Sequence, residues 1–272
     1  MRLLVIGDVG GHHQRLRQLL VDAGADPEGG TLPPETHVVQ VGDLIDRGPD
    51  SAACVALVDR FVTSGAAWTQ LLGNHEGNRI GGRRFWDEPL DATALETLQR
   101  WWRTGQAKLA VALRTREMGD LLVTHAGLVQ QLWVMMGRPD CVDAADRLNQ
   151  AVGRDAELAF SSGVLLAGGV PGPAWADAAR ELYPSWNSAE LVPFGQVHGH
   201  SPVVAWPAGR AVRSVPWRLR RRLRPDPERQ HSRIDIGGRP FVCVDPGLGF
   251  TPRAEHRLVP LQLTGEVIVT DE

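Results

Sequence analysis

The segment LLVIGDVGGHH, residues 3–13, decides the fold class of this 272-residue chain. Its apolar run up to Asp8 predicts a buried strand. From His12 to Ala23 the leucines recur at helical spacing, which predicts a helix after the strand. Between the two lie a carboxylate, a glycine pair and a histidine pair. These residue types serve as metal or phosphate ligands, but also as turn and cap residues.

The same order of strand, turn and helix continues along the first third of the chain. Residues His37–Asp43 predict a second strand, Ser51–Thr63 a second helix and Ala67–Asn74 a third strand. Strands that alternate with helices pair in parallel, and ligands bind beyond the carboxyl ends of such strands. All three strands end in glycine plus a polar residue, so these ends mark the candidate site.

The remainder of the chain is predicted to mix helices, strands and loops. Further predicted elements are the helices Asp91–Thr104 and Asp143–Phe160, a hairpin turning at Met118–Asp120, and the loop Gly163–Pro173. Strands are expected at Val192–His198, Val203–Trp206, Phe241–Asp245 and Arg257–Val269, the last as a hairpin turned at Thr264–Glu266. No repeat or boundary divides the sequence, so one domain over residues 1–272 is expected.

Composition and charge exclude some classes of function. A net charge of −3 and a pI near 6.3 give no basis for specific nucleic-acid binding. Cys54, Cys141 and Cys243 form no CxxC pair, which argues against a disulfide framework or a thiolate zinc site. No apolar run reaches membrane-spanning length and no secretory signal is evident, so we expect no transmembrane segment and a cytoplasmic location.

Five short motifs follow one another in a fixed order. They are Gly7-Asp8, GDLIDRG (42–48), GNHE (73–76), THAGL (124–128) and VHGHSP (197–202). One such motif alone is ordinary turn chemistry, whereas five in order are specific. The series resembles the calcineurin-like metallophosphoesterases, and within them the phosphoprotein phosphatase branch with its bacterial and phage members. The resemblance implies an α/β fold, a β-sandwich flanked by α-helices in an αββα arrangement.

By this resemblance, two divalent metal ions occupy the site. Asp43 would bridge both ions, Asp8 would hold the first, and Asn74, His125 and His200 would hold the second. Carboxylate, amide and imidazole ligands suit Mn, Fe, Zn or Mg, and we favour Mn. If the resemblance to the family is set aside, Asp8, Asp43 and Asn74 are interpreted as turn or cap residues, and His125 as a buried core histidine.

The resemblance also implies the catalytic residues. Arg47 would contact the phosphate, for which a planar guanidinium fork is well shaped, and Asn74 would bind it as well. His75 would protonate the leaving oxygen, and Asp46 would orient His75. Hydrolysis would proceed by direct attack of a metal-bound hydroxide, without a covalent phosphoenzyme.

Three further residues are assigned by their positions. His198 precedes the motif histidine, and Asp245 ends a predicted strand in FVCVDPG. We expect both to support the ligands, with two alternatives: His198 faces the pocket, or Asp245 only caps the turn that follows it. This branch of the family places an additional arginine between its last two histidine motifs, and Arg180 is the candidate here for a second phosphate contact.

Gly10 departs from the family pattern, which has a histidine at this position as a ligand of the first metal. Without that imidazole the first metal should bind more weakly unless another group or water replaces it. His12 could reach back from the start of the predicted helix, and we favour it over His13; both are alternatively exposed residues of the first helical turn. Three interpretations follow: a shifted ligand, a water-filled position or a weakened first site.

A basic insert at about residues 210–235 separates GHSP from FVCVDPG. Five arginines between residues 218 and 224 crowd around Trp217, Leu219 and Leu223, and nearby prolines limit any helix. We favour a solvated, mobile loop as the interpretation of this insert. The alternative is an arm that binds an anionic partner.

Three functions are consistent with these motifs. The first is a phosphomonoesterase of the serine/threonine protein phosphatase type, acting on a phosphorylated substrate such as a phosphoprotein or a nucleotide. The second is hydrolysis of a dinucleoside polyphosphate such as diadenosine tetraphosphate, as in related bacterial tetraphosphatases. The third is a phosphate-binding regulatory module with weak turnover, against which the retention of His75 and Asp46 argues.

Overall fold

The computed structural model describes residues 1–81, 85–163, 169–206, 208–249 and 256–269. The described strands are β1 (Arg2–Ile6), β2 (Thr36–Gln40), β3 (Trp68–Leu71), β4 (Ala107–Lys108), β5 (Ala110–Thr115), β6 (Gly119–Thr124), β7 (Gly195–His198), β8 (Val204–Ala205), β9 (Arg210–Ala211), β10 (Arg224–Asp226), β11 (His231–Ile236), β12 (Arg239–Cys243) and β13 (Leu261–Ile268). The described α-helices are α1 (His13–Asp22), α2 (Ser51–Ser64), α3 (Asn74–Ile80), α4 (Ala92–Thr104), α5 (Gln130–Met135), α6 (Cys141–Asn149), α7 (Ala156–Phe160), α8 (Tyr183–Asn187) and α9 (Trp217–Arg220). A π-helical turn, Ala178–Leu182, precedes α8.

Eleven strands form one sheet in the order β10-β11-β12-β7-β6-β5-β13-β1-β2-β3-β4. Strands β1 to β4 pair in parallel, which confirms the pairing predicted from the alternation of strands and helices. Strand β13 lies antiparallel between β1 and β5. It therefore joins the two halves of the sheet, which are β1 to β4 on one side and β5, β6, β7, β12, β11 and β10 on the other. The predicted hairpin in the middle of the chain is also confirmed, as β5 and β6.

The two halves of the sheet face each other across an apolar core. Alternate residues of strands from both halves form one buried cluster: Leu3, Val5, Val39, Val41, Leu71, Val111, Leu113, Leu121, Val123, Val197, Val242, Val244, Leu261 and Leu263. Because successive strand residues point to opposite faces, Leu4 of β1 packs instead in the larger cluster that contains Leu16 and Leu20 of α1. The predicted α/β class, with a central sheet flanked by helices, is therefore confirmed.

Local signals in the sequence set several helix ends. Asp50 and Asp91 accept backbone N–H groups at the starts of α2 and α4. Gly65 and Gly105 end the same two helices with φ of 80° and 68°. In the described part of the chain, no helix is both long and apolar enough to cross a bilayer.

Some predicted elements are wrong. The predicted helix Asp143–Phe160 is two helices, α6 and α7, because Gly153 between them adopts a φ of 71°. The predicted turn at Thr264–Glu266 is the middle of the continuous strand β13, where the missing Cβ of Gly265 lets the Arg114 carbonyl approach. Helices α3, α5, α8 and α9 are not predicted, and α9 forms despite the nearby prolines. Residues 164–168 of the predicted loop lie outside the described residues.

The basic insert belongs to the sheet, so its interpretation as a loop is wrong. Strands β10 and β11 pair antiparallel at the sheet edge, next to β12. Leu219 of α9 is buried, whereas Trp217 is 61% exposed. The guanidinium carbons of Arg218 and Arg221 lie 5.4 and 5.3 Å from the Trp217 ring centroid. The insert therefore presents the Trp217 ring with Arg218 and Arg221 outward, while Leu219 packs inward.

Candidate active site

The candidate site lies where β1, β2 and β3 end. Asp8 follows β1, Asp43 follows β2, and Asn74 opens α3 directly after β3. All three residues are buried. The Asp43 carboxylate packs directly against Gly73, which lies between β3 and α3. Only glycine leaves room for it, because a Cβ there would lie 2.1 Å from Asp43 Oδ1. Parallel pairing therefore brings three polar groups to one edge of the sheet, as predicted.

Two histidines complete a cluster around Asp43 and Asn74. His125 Nε2 lies 3.1 Å from Asn74 Oδ1 and 3.4 Å from Asp43 Oδ2. His200 Nδ1 lies 2.9 Å from Asn74 Oδ1. Ligand atoms of Asp43, His125 and His200 all lie within 4.8 Å of one another. This spacing of oxygen and nitrogen donors suits one divalent cation.

Asp8 and Asp245 line the same cavity as Asp43. The Asp8 carboxylate accepts the backbone N–H of His200, with oxygen distances of 3.0 and 3.2 Å. Gly199 is required beside it, because a Cβ would lie 2.0 Å from Asp8 Oδ1. Asp245 Oδ1 accepts the N–H of Gly247 at 2.7 Å. Asp245 therefore both caps its turn and faces the cavity.

Three buried carboxylates in one place repel each other. Burial raises the pKa of Asp8 well above its usual value, and the charges of Asp245 and Asp43 raise it further. Burial likewise raises the pKa of Asp245 to about 6. For Asp43, burial opposes ionisation, but the charges of His125 and His75 hold its pKa below the usual value. A divalent cation would offset this repulsion, so the residues fit a metal site.

Gly10 and His12 lie at the start of α1. Gly10 has a φ of 51°, a left-handed conformation that favours glycine, and its N–H donates to Asp43 O at 2.8 Å. His12 has a buried Nε2 without a hydrogen-bond partner, and it is not among the described residues that line the cavity. Its predicted role as a shifted ligand stays a prediction.

His75 and Asp46 form a buried pair beside the cluster. His75 Nδ1 lies 2.7 Å from Asp46 Oδ2, and its Nε2 lies 3.8 Å from Asp43 Oδ2. Asp46 also accepts hydrogen bonds from Arg79, at 3.1 Å, and from Trp86 Nε1, at 2.8 Å. Burial opposes protonation of His75, but the charge of Asp43 and the hydrogen bond to Asp46 raise its pKa above the usual value. A protonated imidazole held in this way can donate a proton.

A cavity of about 410 Å³ opens onto these groups. Its lining residues are Asp8, Asp43, Arg47, Asn74, His75, Phe85, Trp86, Trp175, His200, Asp245 and Gly249. The Arg47 guanidinium carbon lies 5.9 Å from the Trp86 ring centroid, and 47% of the Arg47 side chain is exposed. Among the described lining residues, Arg47 is the only permanently charged cation. Its Nη1 lies 3.9 Å from Glu88 Oε1, and both side chains are partly exposed, so an anionic ligand in the cavity would compete with this loose ion pair for the guanidinium.

Two predicted residues are not brought to this cavity. His198 is fully buried behind it, with Nε2 3.0 Å from the Tyr183 hydroxyl and Nδ1 3.0 Å from the carbonyl oxygen of Gly199. The Arg180 side chain is 57% exposed, pairs with Asp177 at 3.5 Å and lines a different groove. The predicted contact of Arg180 with phosphate therefore has no counterpart in this structure.

Five side chains around the site are not predicted from the sequence: Glu76, Arg79, Phe85, Trp86 and Trp175. A local pattern in the sequence indicates the role of Glu76. It stands three residues after Gly73, the residue that caps the start of α3, and a capping glutamate is common at this position. Arg79 lies one helical turn beyond His75, which also places it on the same side of α3. The two tryptophans stand far apart in the sequence, and no local pattern indicates that they share a cavity.

Several known proteins are similar to parts of this chain. A family model described as calcineurin-like phosphoesterase matches residues 1–214. The symmetrical bis(5'-nucleosyl)-tetraphosphatase of Acidovorax ebreus is 33% identical over 141 residues, 48% of this chain and 46% of that protein. Serine/threonine-protein phosphatase 1 of Salmonella typhimurium is 39% identical over 80 residues, 29% of this chain and 32% of that protein. The matches thus span less than half the length of each of these relatives.

A solved structure shares the fold. A cold-active protein tyrosine phosphatase superposes with a TM-score of 0.54 over 98% of this chain and 78% of that chain, at 17% identity. At this identity the likeness concerns the fold alone. The family model, by contrast, matches well over half of the chain, and the matched residues include all five motifs from Gly7-Asp8 to VHGHSP. The chain belongs to the calcineurin-like phosphoesterase family.

Proposed function

We propose that this protein is a metal-dependent phosphomonoesterase of the serine/threonine protein phosphatase type. One juxtaposition carries the proposal: Asp43 and His200 of the donor cluster line the same cavity as His75, which is paired with Asp46. A metal site alone would support several chemistries. A proton donor beside it is what hydrolysis of an ester with a poor leaving group needs.

The residues fit two divalent ions, with Mn favoured. Asp43 would contact both ions, Asp8 would hold the first, and Asn74, His125 and His200 would hold the second. Such ions, when bound, supply positive charge against the phosphoryl oxygens and lower the pKa of a water for in-line attack. The close packing of Asp43, Asn74, His125 and His200 supports the assignment of the second ion. The assignment of the first ion is supported by the position of Asp8 in the same cavity.

The remaining steps fall to side chains of this protein. Arg47 would bind a phosphoryl oxygen through its exposed guanidinium. The Asp46 carboxylate accepts a hydrogen bond from the Nδ1–H of His75. The Nε2 atom is then left to face the substrate and to protonate the leaving oxygen. Trp86 packs against the His75 ring, at 4.6 Å between centroids, and keeps water from this pair.

Hydrolysis of a dinucleoside polyphosphate is the second candidate function. It is favoured by the number of relatives named as tetraphosphatases, including that of Acidovorax ebreus. Such a substrate carries several phosphates, and Arg47 is the only permanently charged cation among the described lining residues. We therefore rank this activity below phosphomonoester hydrolysis. A phosphate-binding module with weak turnover ranks third, because the His75–Asp46 pair is intact.

The test measures bound Mn per chain and turnover of p-nitrophenyl phosphate, with diadenosine tetraphosphate as the competing substrate. We expect Mn-dependent turnover of the monoester, and a loss of roughly 100-fold or more in Arg47→Ala. Arg218→Ala is the matched control, because Arg218 also stacks on a tryptophan but on the exposed insert. Cleavage of the tetraphosphate alone would favour the second function, and phosphate binding without turnover would favour the third.

Three other parts of the proposal rest on separate observations. One domain is supported by the larger core cluster, which runs from Leu4 to Cys243. A cytoplasmic location is supported by three buried, free cysteines. An anionic partner for the insert is supported by the exposed ring of Trp217 between Arg218 and Arg221.

A further inference from the structure

One side of the cavity over the candidate site is aromatic. Phe85, Trp86 and Trp175 line it, and we call these three residues the aromatic wall. Ring centroids lie 4.9 Å apart for Phe85 and Trp175, 6.1 Å for Phe85 and Trp86, and 6.2 Å for the two tryptophans. These contacts make one continuous surface from side chains on two distant segments of the chain.

The aromatic wall adjoins the residue assigned to the leaving oxygen. The Trp86 ring centroid lies 4.6 Å from that of His75, and the Trp175 ring centroid lies 5.8 Å from that of His200. The Arg47 guanidinium lies 5.9 Å from the Trp86 ring centroid. A phosphate that contacts Arg47 and presents its ester oxygen to His75 must therefore place its organic group beside the wall.

The chemistry of the aromatic wall decides which organic group fits. Aromatic rings offer a large apolar area and edge or offset packing to another ring, but no charge to balance further phosphates. A leaving group made of phosphates would put negative charge against the faces of these rings, which are themselves electronegative. A short alkyl group, such as the methylene of serine, would leave most of the wall without contact.

We infer that the aromatic wall selects phosphate monoesters of aromatic alcohols over those of alkyl alcohols. The inference rests on the proposed phosphomonoester hydrolysis and narrows its substrate: the metal and acid residues are those of the serine/threonine phosphatase type, but the preferred ester is aryl rather than the alkyl ester of serine or threonine. The shared chemistry is a phenol ester of phosphate, which occurs as phosphotyrosine in proteins and as free aryl phosphates. Trp175 is the residue to test, because Trp86 also donates a hydrogen bond to Asp46 and so affects the proton donor directly.

The test compares wild type, Trp175→Leu and Trp217→Leu by steady-state kinetics in Mn. The substrates are two peptides that differ only in phosphotyrosine against phosphoserine, together with phenyl phosphate. Aryl esters are more reactive with any catalyst, so the readout is the change in the kcat/KM ratio between variants. Trp217 is the control because it is 61% exposed and lies on the insert.

We expect Trp175→Leu to lower kcat/KM for the phosphotyrosine peptide roughly three- to tenfold, with little change for phosphoserine, and Trp217→Leu to change neither. An equal loss on phenyl phosphate would indicate that free aryl phosphates suffice, whereas a loss on the peptide alone would indicate protein-bound phosphotyrosine. Equal losses on both peptides, or no loss on either, would overturn the inference while leaving the proposed function intact. A wild type that hydrolyses no monoester would refute the proposed function itself, and this inference with it.

Discussion

The buried carboxylate of Glu76 accepts the backbone N–H of Asp43 at 2.8 Å. The same carboxylate accepts the N–H groups of Leu44 and Gly73, each at 2.8 Å. One side chain from the first turn of α3 thus holds the turn after β2, where Asp43 adopts a φ of 54°. Glu76 therefore positions a candidate ligand without being one.

Replacing Glu76 by glutamine should destabilise the protein by roughly 2–3 kcal/mol, because hydrogen bonds to a charged acceptor are lost and an amide NH₂ then faces a backbone N–H. Urea unfolding measures the change. Glu96→Gln is the control: Glu96 is exposed on α4, so its free energy of unfolding should change by no more than about 0.5 kcal/mol. Equal stability of the two variants would show that the charge of Glu76 is not needed to hold the turn.

Removing the imidazole of His75 should slow turnover most for poor leaving groups. For phenyl phosphate we expect His75→Ala to lower kcat by roughly 100-fold or more, because the phenolate needs a proton as it leaves. For p-nitrophenyl phosphate the loss should be much smaller, since its leaving group is stable as an anion. Asp46→Asn should show the same dependence on the leaving group with a smaller loss of kcat, because it weakens the 2.7 Å hydrogen bond that orients the His75 ring. A loss that does not vary across a series of substituted phenyl phosphates would contradict the role of His75 as an acid.

Much of the candidate site could be predicted because its signals are local. Asp8, Asp43 and Asn74 each end an apolar run in a short motif, and parallel pairing then fixes where these ends meet. The helix faces and caps are local as well, since Asp50 and Asp91 precede helical spacing directly. Such features depend on neighbours within a few residues, which the sequence shows.

The rest depends on contacts between distant residues. Gly265 resembles a turn residue, yet strands on both sides of β13 pair with it and its neighbours, and that pairing overrides the local preference. The aromatic wall joins Trp86 to Trp175 across 89 positions of sequence (175 − 86), and neither belongs to a motif. The predicted phosphate contact of Arg180 depends only on its distance along the chain from the motif histidines. In the structure Arg180 lies in the π-helical turn and pairs with Asp177 instead.

Acidification should destabilise the protein in part through His37. Burial lowers the pKa of His37 to about 4, whereas an unfolded histidine titrates near 6.5. The unfolded state therefore binds a proton first as the pH falls, so the stability present above pH 6.5 is lost progressively toward pH 4. His37→Gln should remove about 2–3 kcal/mol of this loss between pH 7.5 and 4.5. Urea unfolding of both proteins at the two pH values measures it, and identical pH dependence would contradict the half-buried, neutral state of His37.

The basic insert should contribute to stability through Leu219 rather than Trp217. Leu219 is 3% exposed, and Leu219→Ala should cost roughly 2–3 kcal/mol, because it leaves a cavity beneath α9. Trp217→Ala should cost no more than about 0.5 kcal/mol, since the ring is mostly in solvent. Thermal or urea unfolding of both variants tests this order. Two equally small changes would contradict the packing role of Leu219 beneath α9.

Gly10 allows a direct test of the first metal site. We expect His12→Ala to leave the number of Mn ions per chain unchanged, because His12 is not among the described residues that line the cavity. Gly10→His should strengthen binding of the first ion by supplying the imidazole that the family has there. It should also cost the metal-free protein about 1–2 kcal/mol, since a φ of 51° strains any residue with a Cβ. Gly10→Ala separates the two effects: it carries the same strain without the imidazole, and its Cβ would meet its nearest neighbour, the Asp46 carbonyl oxygen, at an ordinary 3.6 Å. Mn titration with metal analysis gives the first quantity and urea unfolding in chelator gives the second. Loss of one ion in His12→Ala would identify His12 as the displaced ligand, and His12 would then replace at the first site the imidazole that Gly10 lacks.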